Sequence, residues 1–163
     1  MKTFPTYALL IAGLLLLNLQ VQAQSYTKKV LEKVPELEVG KVYTGKDIRA
    51  AKKLFPEGVA IEDETVYPFA KLTGRRVVVI FYFRVQSNAD FIHIDATSLR
   101  KKNLQPEHVN RYLYSHGKIG DTDYTSTFSM DKKKIVTFKQ IKNGKISIKR
   151  YRIERKRFSI IVE

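Results

Sequence analysis

The chain has 163 residues, no Cys, a formal net charge of +14 and 44% hydrophobic residues. The absence of Cys excludes disulfides, thiol catalysis and Cys-based zinc or iron–sulfur sites. The positive charge favours anionic partners but carries no information about the fold.

Residues 1–23 have the pattern of a secretory signal peptide. Lys2 supplies the positive start, residues 8–17 (ALLIAGLLLL) are apolar, and residues 21–23 (VQA) place small side chains at the cleavage positions. The alternative is a retained membrane anchor, but a spanning helix needs about 20 apolar residues. We therefore expect cleavage after Ala23 and a secreted or periplasmic protein.

The rest of the chain, residues 24–163, contains no linker rich in Pro, Gly or Ser, so we expect a single domain. Thr44 and Asp47 have the spacing of a helix capping box. Pro106 suits a first helical turn, and Gly117 suits the position after a helix end. Helices are predicted over residues 25–34, 44–55 and 103–116.

Strand patterns dominate the second half of the chain. The stretch from Arg76 to Val85 (RVVVIFYFRV) is almost continuously apolar, which is typical of a central strand covered on both faces. Strands are predicted over residues 76–85, 91–96, 123–130, 134–141, 145–154 and 158–162. The order of elements predicts an α+β fold, with a twisted antiparallel sheet of about five to six strands and two to three helices mainly on one face.

Asn143-Gly144 separates two of these strands and favours a two-residue type I′ turn, because both residues tolerate positive φ. The turn predicts a hairpin in which Lys142 faces Lys145. In that register the apolar residues change face along the second strand. We therefore expect a bulge near Lys149–Arg150.

A bulge at that position would bring Ile146 and Ile148 to the core face of the sheet, together with Tyr151. Without a bulge, the two Ile side chains would point away from the core, because neighbouring strand residues face opposite sides. The position of these two side chains therefore tests the prediction.

The positive charge is concentrated at the C-terminus, where residues 131–163 contain 12 Lys and Arg against 3 acidic residues. We predict that the C-terminal hairpin binds an anionic polymer, lipopolysaccharide or an acidic protein; no specific nucleic-acid motif is present. The alternative is a solvated surface in which Lys protects an edge strand from aggregation. The predicted contacts are Lys139, Lys149, Arg150, Arg152, Arg155, Lys156 and Arg157.

The best catalytic candidate is the pair His93 and Asp95, which share one face of a predicted strand. Such a pair can transfer protons or bind a metal ion. The alternative is a solvated surface pair. We expect a non-enzymatic binding domain without a cofactor or metal. A small hydrolase or metal-dependent enzyme centred on this pair, and a structural subunit of a cell-envelope assembly, are the alternatives.

Two further groups of residues, one of His and one of acidic side chains, have the chemistry of metal ligands. His108 and His116 are eight residues apart on a predicted helix, too far to share an ion unless His93 joins them. Residues 62–64 (EDE) are acidic but lack the spacing of a calcium-binding loop. We expect both groups to be ordinary polar surface.

Overall fold

The computed structural model describes residues 25, 27–61, 64–86, 91–119, 122–154 and 157–161, so the predicted signal peptide lies outside the described residues. Within them, the helices are α1 (residues 27–33) and α2 (Ile48–Leu54). The strands are β1 (Val42–Thr44), β2 (Val59–Ile61), β3 (Glu64–Thr73), β4 (Val77–Gln86), β5 (Phe91–Arg100), β6 (Pro106–Ile119), β7 (Thr122–Met130), β8 (Val136–Lys142), β9 (Lys145–Glu154) and β10 (Arg157–Ile160).

The predicted α+β class is wrong, because the described part of the chain is mostly β: its ten antiparallel strands form one sheet, strands make up 63% of its residues, and its two helices are short. Strands β2 to β10 lie side by side in chain order, and β1 pairs with β7. This order needs only short connections between neighbouring strands, which antiparallel pairing permits.

The predicted helix over residues 103–116 is the main source of this error, since the segment forms β6. In the pairing of β5 with β6, Ile94 faces Tyr114 and Ala96 faces Asn110. Two residues along β5 therefore match four along β6, which is a bulge. Within β6, Val109 is 43% exposed and Leu113 is 7% exposed, so the spacing of four that favoured a helix does not mark one buried face.

The predicted strands do not include β3, which contains Pro68. Proline cannot donate a ladder hydrogen bond and argues against a central strand. The structure accommodates it with a register shift between Pro68 and Ala70, so that β3 still pairs with β4 on both sides of the irregularity.

Strand β4 is covered on both faces, which confirms the prediction made from its continuous apolar sequence. Phe81 and Phe83 are fully buried in the main core. Ile80 points to the opposite face, where it packs with Val30 and Val34 at the N-terminal helix. The sheet therefore has a large inner core and a smaller one under α1.

The sheet curls until its last strand contacts its middle strands. The backbone N–H of Phe158 on β10 donates to Ser98 Oγ on β5 at 3.2 Å, and its carbonyl accepts from Asn110 Nδ2 on β6 at 2.9 Å. The Phe158 ring meets the Phe81 ring edge-on at a centroid distance of 5.3 Å. Such pairs contribute about 0.5–1.5 kcal/mol beyond area burial. The curl encloses an aromatic core of Phe69, Phe81, Phe83, Phe128, Phe138, Tyr151 and Phe158.

The predicted capping box is confirmed. The N–H of Thr44 donates to Asp47 Oδ2 at 2.6 Å, and Thr44 Oγ1 accepts from the N–H of Lys46 at 3.2 Å. The box caps a 3-10 turn (Gly45–Asp47) that leads directly into α2.

Candidate anion-binding surface

The hairpin of β8 and β9 has the predicted register. Lys142 faces Lys145, and the pairing continues in step to Val136 and Tyr151. Asn143 has φ 45° and Gly144 has φ 78°, as a type I′ turn requires.

The predicted bulge in β9 is absent, since the register of this hairpin runs without a shift. Tyr151 reaches the core directly and meets Phe138 edge-on at 5.5 Å between ring centroids. Ile146 and Ile148 consequently point outwards and are 60% and 57% exposed. The prediction failed because it assumed that exposed Ile residues must be brought to the core.

Only some of the predicted anion-binding residues share a face. Thr137 pairs with Arg150 and Lys139 with Ile148, so Lys139, Arg150 and Arg152 alternate along the outer side of the hairpin. Arg152 donates from Nη2 to Glu154 Oε1 at 2.5 Å, which offsets part of its charge.

The remaining predicted contacts differ in position. Lys149 faces Phe138 in the register and thus lies on the other side of β9, although it is exposed. Arg157 pairs with Glu154 at the start of β10, so it lies on the same outer side as Arg150 and Arg152, and it is exposed. Arg155 and Lys156 lie outside the described residues.

A denser group of cations lies at one end of the sheet. Alternate connections of an antiparallel sheet meet at the same end, so the connections β3–β4, β5–β6 and β7–β8 lie together. We call these three segments (residues 74–76, 101–105 and 131–135) the basic end. They contain one acidic residue, Asp131. Their basic residues are Arg75, Arg76, Lys101, Lys102, Lys132, Lys133 and Lys134.

Direct contacts hold the connections of the basic end together. The N–H of Lys101 donates to the carbonyl of Arg76 at 3.0 Å, which joins β5–β6 to β3–β4. Lys134 Nζ donates to the carbonyl of Thr73 at 3.4 Å, which joins β7–β8 to the end of β3. This group could not be predicted from the sequence. With a helix at residues 103–116, the connections on its two sides would not have been expected at the same end of the sheet.

The carboxylate of Asp131 is used by the backbone of its own turn. Its Oδ1 accepts from the N–H groups of Lys133 at 2.8 Å and Ile135 at 2.9 Å. These bonds support Lys134 in the left-handed region at φ 60°, which is costly for a residue with a Cβ. The turn is thus fixed while its three Lys side chains stay at the surface.

Two pockets open beside the basic end. The Arg75 pocket has a volume of about 400 Å³ and is lined by Leu72, Thr73, Gly74, Arg75, Lys133, Lys134, Arg152 and Ile153. The Lys71 pocket has about 770 Å³ and is lined by Ser25, Lys28, Leu31, Glu32, Lys71, Lys101, Lys102, Asn103 and Leu104. The Arg75 pocket has no carboxylate in its wall, whereas the Lys71 pocket includes Glu32.

Arg84 contrasts with the exposed cations of the basic end, because its side chain is buried and paired with carboxylates. Arg84 on β4 is 7% exposed, and its Nε donates to Asp95 Oδ2 at 2.9 Å. Its Nη1 donates to both carboxylate oxygens of Glu64, at 2.7 and 2.8 Å. Two carboxylates therefore compensate this buried guanidinium. A lone Arg inside an apolar central strand is the sequence signal for such partners, because buried charges are paired.

The predicted catalytic pair belongs to this network. His93 faces Arg84 in the register, and its Nδ1 lies 3.1 Å from Ser115 Oγ. Burial, together with the Arg84 guanidinium, lowers the pKa of His93 to about 4, so the imidazole is neutral at pH 7. Asp95 is 1% exposed and engaged by Arg84. Neither pocket described above is lined by His93 or Asp95, and the enzymatic alternative stays a prediction.

Among the residues that the structure describes, no group of three His, Cys, Asp or Glu side chains is placed to hold a metal ion. His108 pairs with Ser98 and His116 with Ile92, six positions apart on β5. At strand spacing this is about 20 Å. In the acidic segment 62–64, the first two residues lie outside the described residues, and the third is the Arg84 partner described above.

In the part of the chain described here, no helix combines the length and the hydropathy needed to cross a membrane. The chain matches no family model, no curated protein and no solved structure.

Proposed function

We propose that this chain is an exported, non-enzymatic domain that binds an anionic polymer, such as a sulfated or phosphate-bearing polysaccharide, through its basic end. The main support is that three connections at one end of the sheet carry seven Lys and Arg side chains and one carboxylate. The β3–β4 connection is bonded to the β5–β6 connection, and the β7–β8 connection is bonded to the last residue of β3. That carboxylate offsets one of the seven positive charges and bonds the backbone of its own turn, so the segments keep a large excess of positive charge.

The C-terminal hairpin extends this surface. Arg152 of β9 lines the Arg75 pocket, so the outer row of Lys139, Arg150 and Arg152 begins at the basic end. For this reason the proposed site is centred on the end of the sheet and not on the hairpin. A long polyanion can contact both regions.

Clustered like charges repel each other, and in the free protein that repulsion is reduced only by solvent and ions. A polyanion would replace those ions and release them, so binding should weaken steeply as salt rises. Charges exposed to water are screened beyond about 8 Å at physiological ionic strength. Only cations that lie close together can therefore act as one site.

The proposal is tested by elution of the protein from immobilised heparin in a salt gradient. A variant with Arg75→Glu, Lys101→Glu and Lys133→Glu should elute at a much lower salt concentration than the unmodified protein. All three side chains are exposed, so the fold should survive; a circular dichroism spectrum checks this.

The matched control carries Lys46→Glu, Lys53→Glu and Lys145→Glu, which change the net charge equally at exposed positions outside the basic end. It should retain most of the heparin affinity. If both variants lose affinity equally, the attraction depends on net charge alone and the proposed site is wrong.

A further inference from the structure

We propose that the Arg75 pocket is a discrete site for one tetrahedral oxyanion, a phosphate or sulfate group carried by the ligand. This inference rests on the proposed function, since it takes the basic end to be a binding surface. It goes further by assigning the pocket and the chemical class of the group bound there.

The pocket gathers cations from three separate segments. Arg75 comes from the β3–β4 connection, Lys133 and Lys134 from the β7–β8 connection, and Arg152 from β9. The Arg75 guanidinium offers paired N–H donors that match two oxygens of one anion, and the Lys ammonium groups add point charges. Nε and Nη2 of Arg152 are engaged by Glu154, so Arg152 contributes mainly charge.

Backbone contacts hold the walls of the pocket, in addition to the bonds of Lys134 to Thr73 and of Arg152 to Glu154. The Asp131 side chain fixes the backbone at Lys133 through a 2.8 Å bond. The N–H of Gly74 donates to the carbonyl of Val77 at 2.9 Å, which closes the β3–β4 connection.

Gly74 also allows the close approach of β9. A Cβ at this position would lie 3.0 Å from Cδ1 of Ile153, which is tighter than ordinary van der Waals contact. The absence of a side chain thus brings the β3–β4 connection against the strand that carries Arg152. The pocket depends on this proximity.

The arrangement fits a tetrahedral dianion better than a planar carboxylate. Four cations line the pocket, and Glu154 offsets part of the charge of Arg152. A single carboxylate would compensate one positive charge and present its oxygens in one plane. A phosphate or sulfate group presents oxygens in several directions and can contact all three segments.

The Lys71 pocket is the weaker candidate for the same chemistry. Lys71 Nζ already donates to the carbonyl of Leu31 at 2.6 Å, and the Glu32 carboxylate lies in the wall. An anion in the Lys71 pocket would meet a like charge in the wall. In the Arg75 pocket two of the four cations are also engaged, Lys134 by the carbonyl of Thr73 and Arg152 by Glu154, but no carboxylate is among the described residues that line the wall. We therefore assign the oxyanion site to the Arg75 pocket.

The test is an NMR titration of the full protein with inorganic phosphate, inorganic sulfate and acetate at constant ionic strength. Phosphate and sulfate should produce saturable shifts of the amides of Gly74, Arg75 and Lys133, with an affinity at least tenfold above that of acetate. The ratio of phosphate to sulfate affinity then distinguishes the two sources of the group. Equal affinity for acetate, or shifts that never saturate, would overturn the assignment.

A variant with Arg75→Gln and Lys133→Gln should lose the saturable shifts at Gly74. The control, Lys46→Gln with Lys145→Gln, should keep them. If phosphate fails to saturate while heparin elution still depends on the basic end, the pocket assignment is wrong and the proposed function stands. If phosphate binding saturates but the substitutions in the basic end do not change heparin elution, the oxyanion site is supported and the proposed polymer binding is wrong.

Discussion

The buried guanidinium of Arg84 and the exposed cations of the basic end show two opposite treatments of positive charge in one chain. Arg84 is 7% exposed and has carboxylate partners on both neighbouring strands, at 2.7 to 2.9 Å. The basic end contains seven cations and a single carboxylate, Asp131, which accepts hydrogen bonds from the backbone of its own turn. A charge needed for the fold is compensated inside the molecule. The charges of the basic end stay at the surface, where the proposed polyanion would compensate them.

The largest effect should follow from breaking the internal compensation. Arg84→Met leaves Asp95 and Glu64 without their shared cation, and the loss of one partner from a buried ion pair costs about 3–5 kcal/mol. Urea denaturation should show this decrease in the free energy of unfolding.

Arg76→Met at the basic end is the matched control for that change. The carbonyl of Arg76 accepts a backbone bond from Lys101, which the substitution keeps, and the side chain is exposed. Its free energy of unfolding should change by no more than about 0.5 kcal/mol. If the free energy of unfolding fell equally in both variants, the buried and the exposed cation would contribute equally to stability, and the comparison would be wrong.

A smaller effect is expected from His93, which lies beside Arg84. The pKa of His93 falls from 6.5 to about 4 on folding, mainly because of burial and then because of Arg84. Between pH 6.5 and pH 4, His93 is therefore protonated in the unfolded chain and neutral in the folded protein. The stability that depends on neutral His93 is complete above pH 6.5 and is lost as the pH falls towards 4.

This pH dependence can be measured by urea denaturation at steps between pH 7 and pH 4. His93→Gln removes the titrating group, so the curve of that variant should be flatter over the same range. Glu64, whose charge opposes the shift, keeps its bond to Arg84 in both proteins. Curves of identical slope would contradict the assigned environment of His93.

The smallest effect should come from removing one cation of the basic end. Lys133→Gln leaves the backbone bond from residue 133 to Asp131 in place and reduces repulsion with its neighbours. Stability should stay within about 0.5 kcal/mol of the original, with any gain greatest at low salt. Thermal unfolding at low and high salt measures this, with Lys46→Gln as the control. A large loss of stability would show that this Lys holds the fold together.

The sequence predicts those parts of the fold that local chemistry determines. Asn143-Gly144 sets the register of β8 and β9 because its turn geometry is confined to two residues. The Thr44–Asp47 capping box is equally local. Strand β6 escaped prediction because its bulge is a property of its pairing with β5, which is visible only when the partner strand is known.

The sequence indicates only part of the basic end, for a related reason. The high charge of residues 131–163 points to anion binding and includes Lys133, Lys134 and Arg152. It does not reveal Arg75, more than fifty residues earlier, which the curl of the sheet brings to the same pocket. A site shared by several connections requires the correct strand count, and the helix predicted over residues 103–116 gave the wrong one.

The central claim, that the basic end is the binding surface, is tested most directly by mapping a heparin-derived oligosaccharide on the protein by NMR. We predict that the amides of residues 74–76, 101–105 and 131–135 shift together, that they saturate together, and that all return to their free positions as salt rises. Shifts centred on the Asn143-Gly144 turn at the other end of the sheet, or spread evenly over every exposed Lys and Arg, would contradict it.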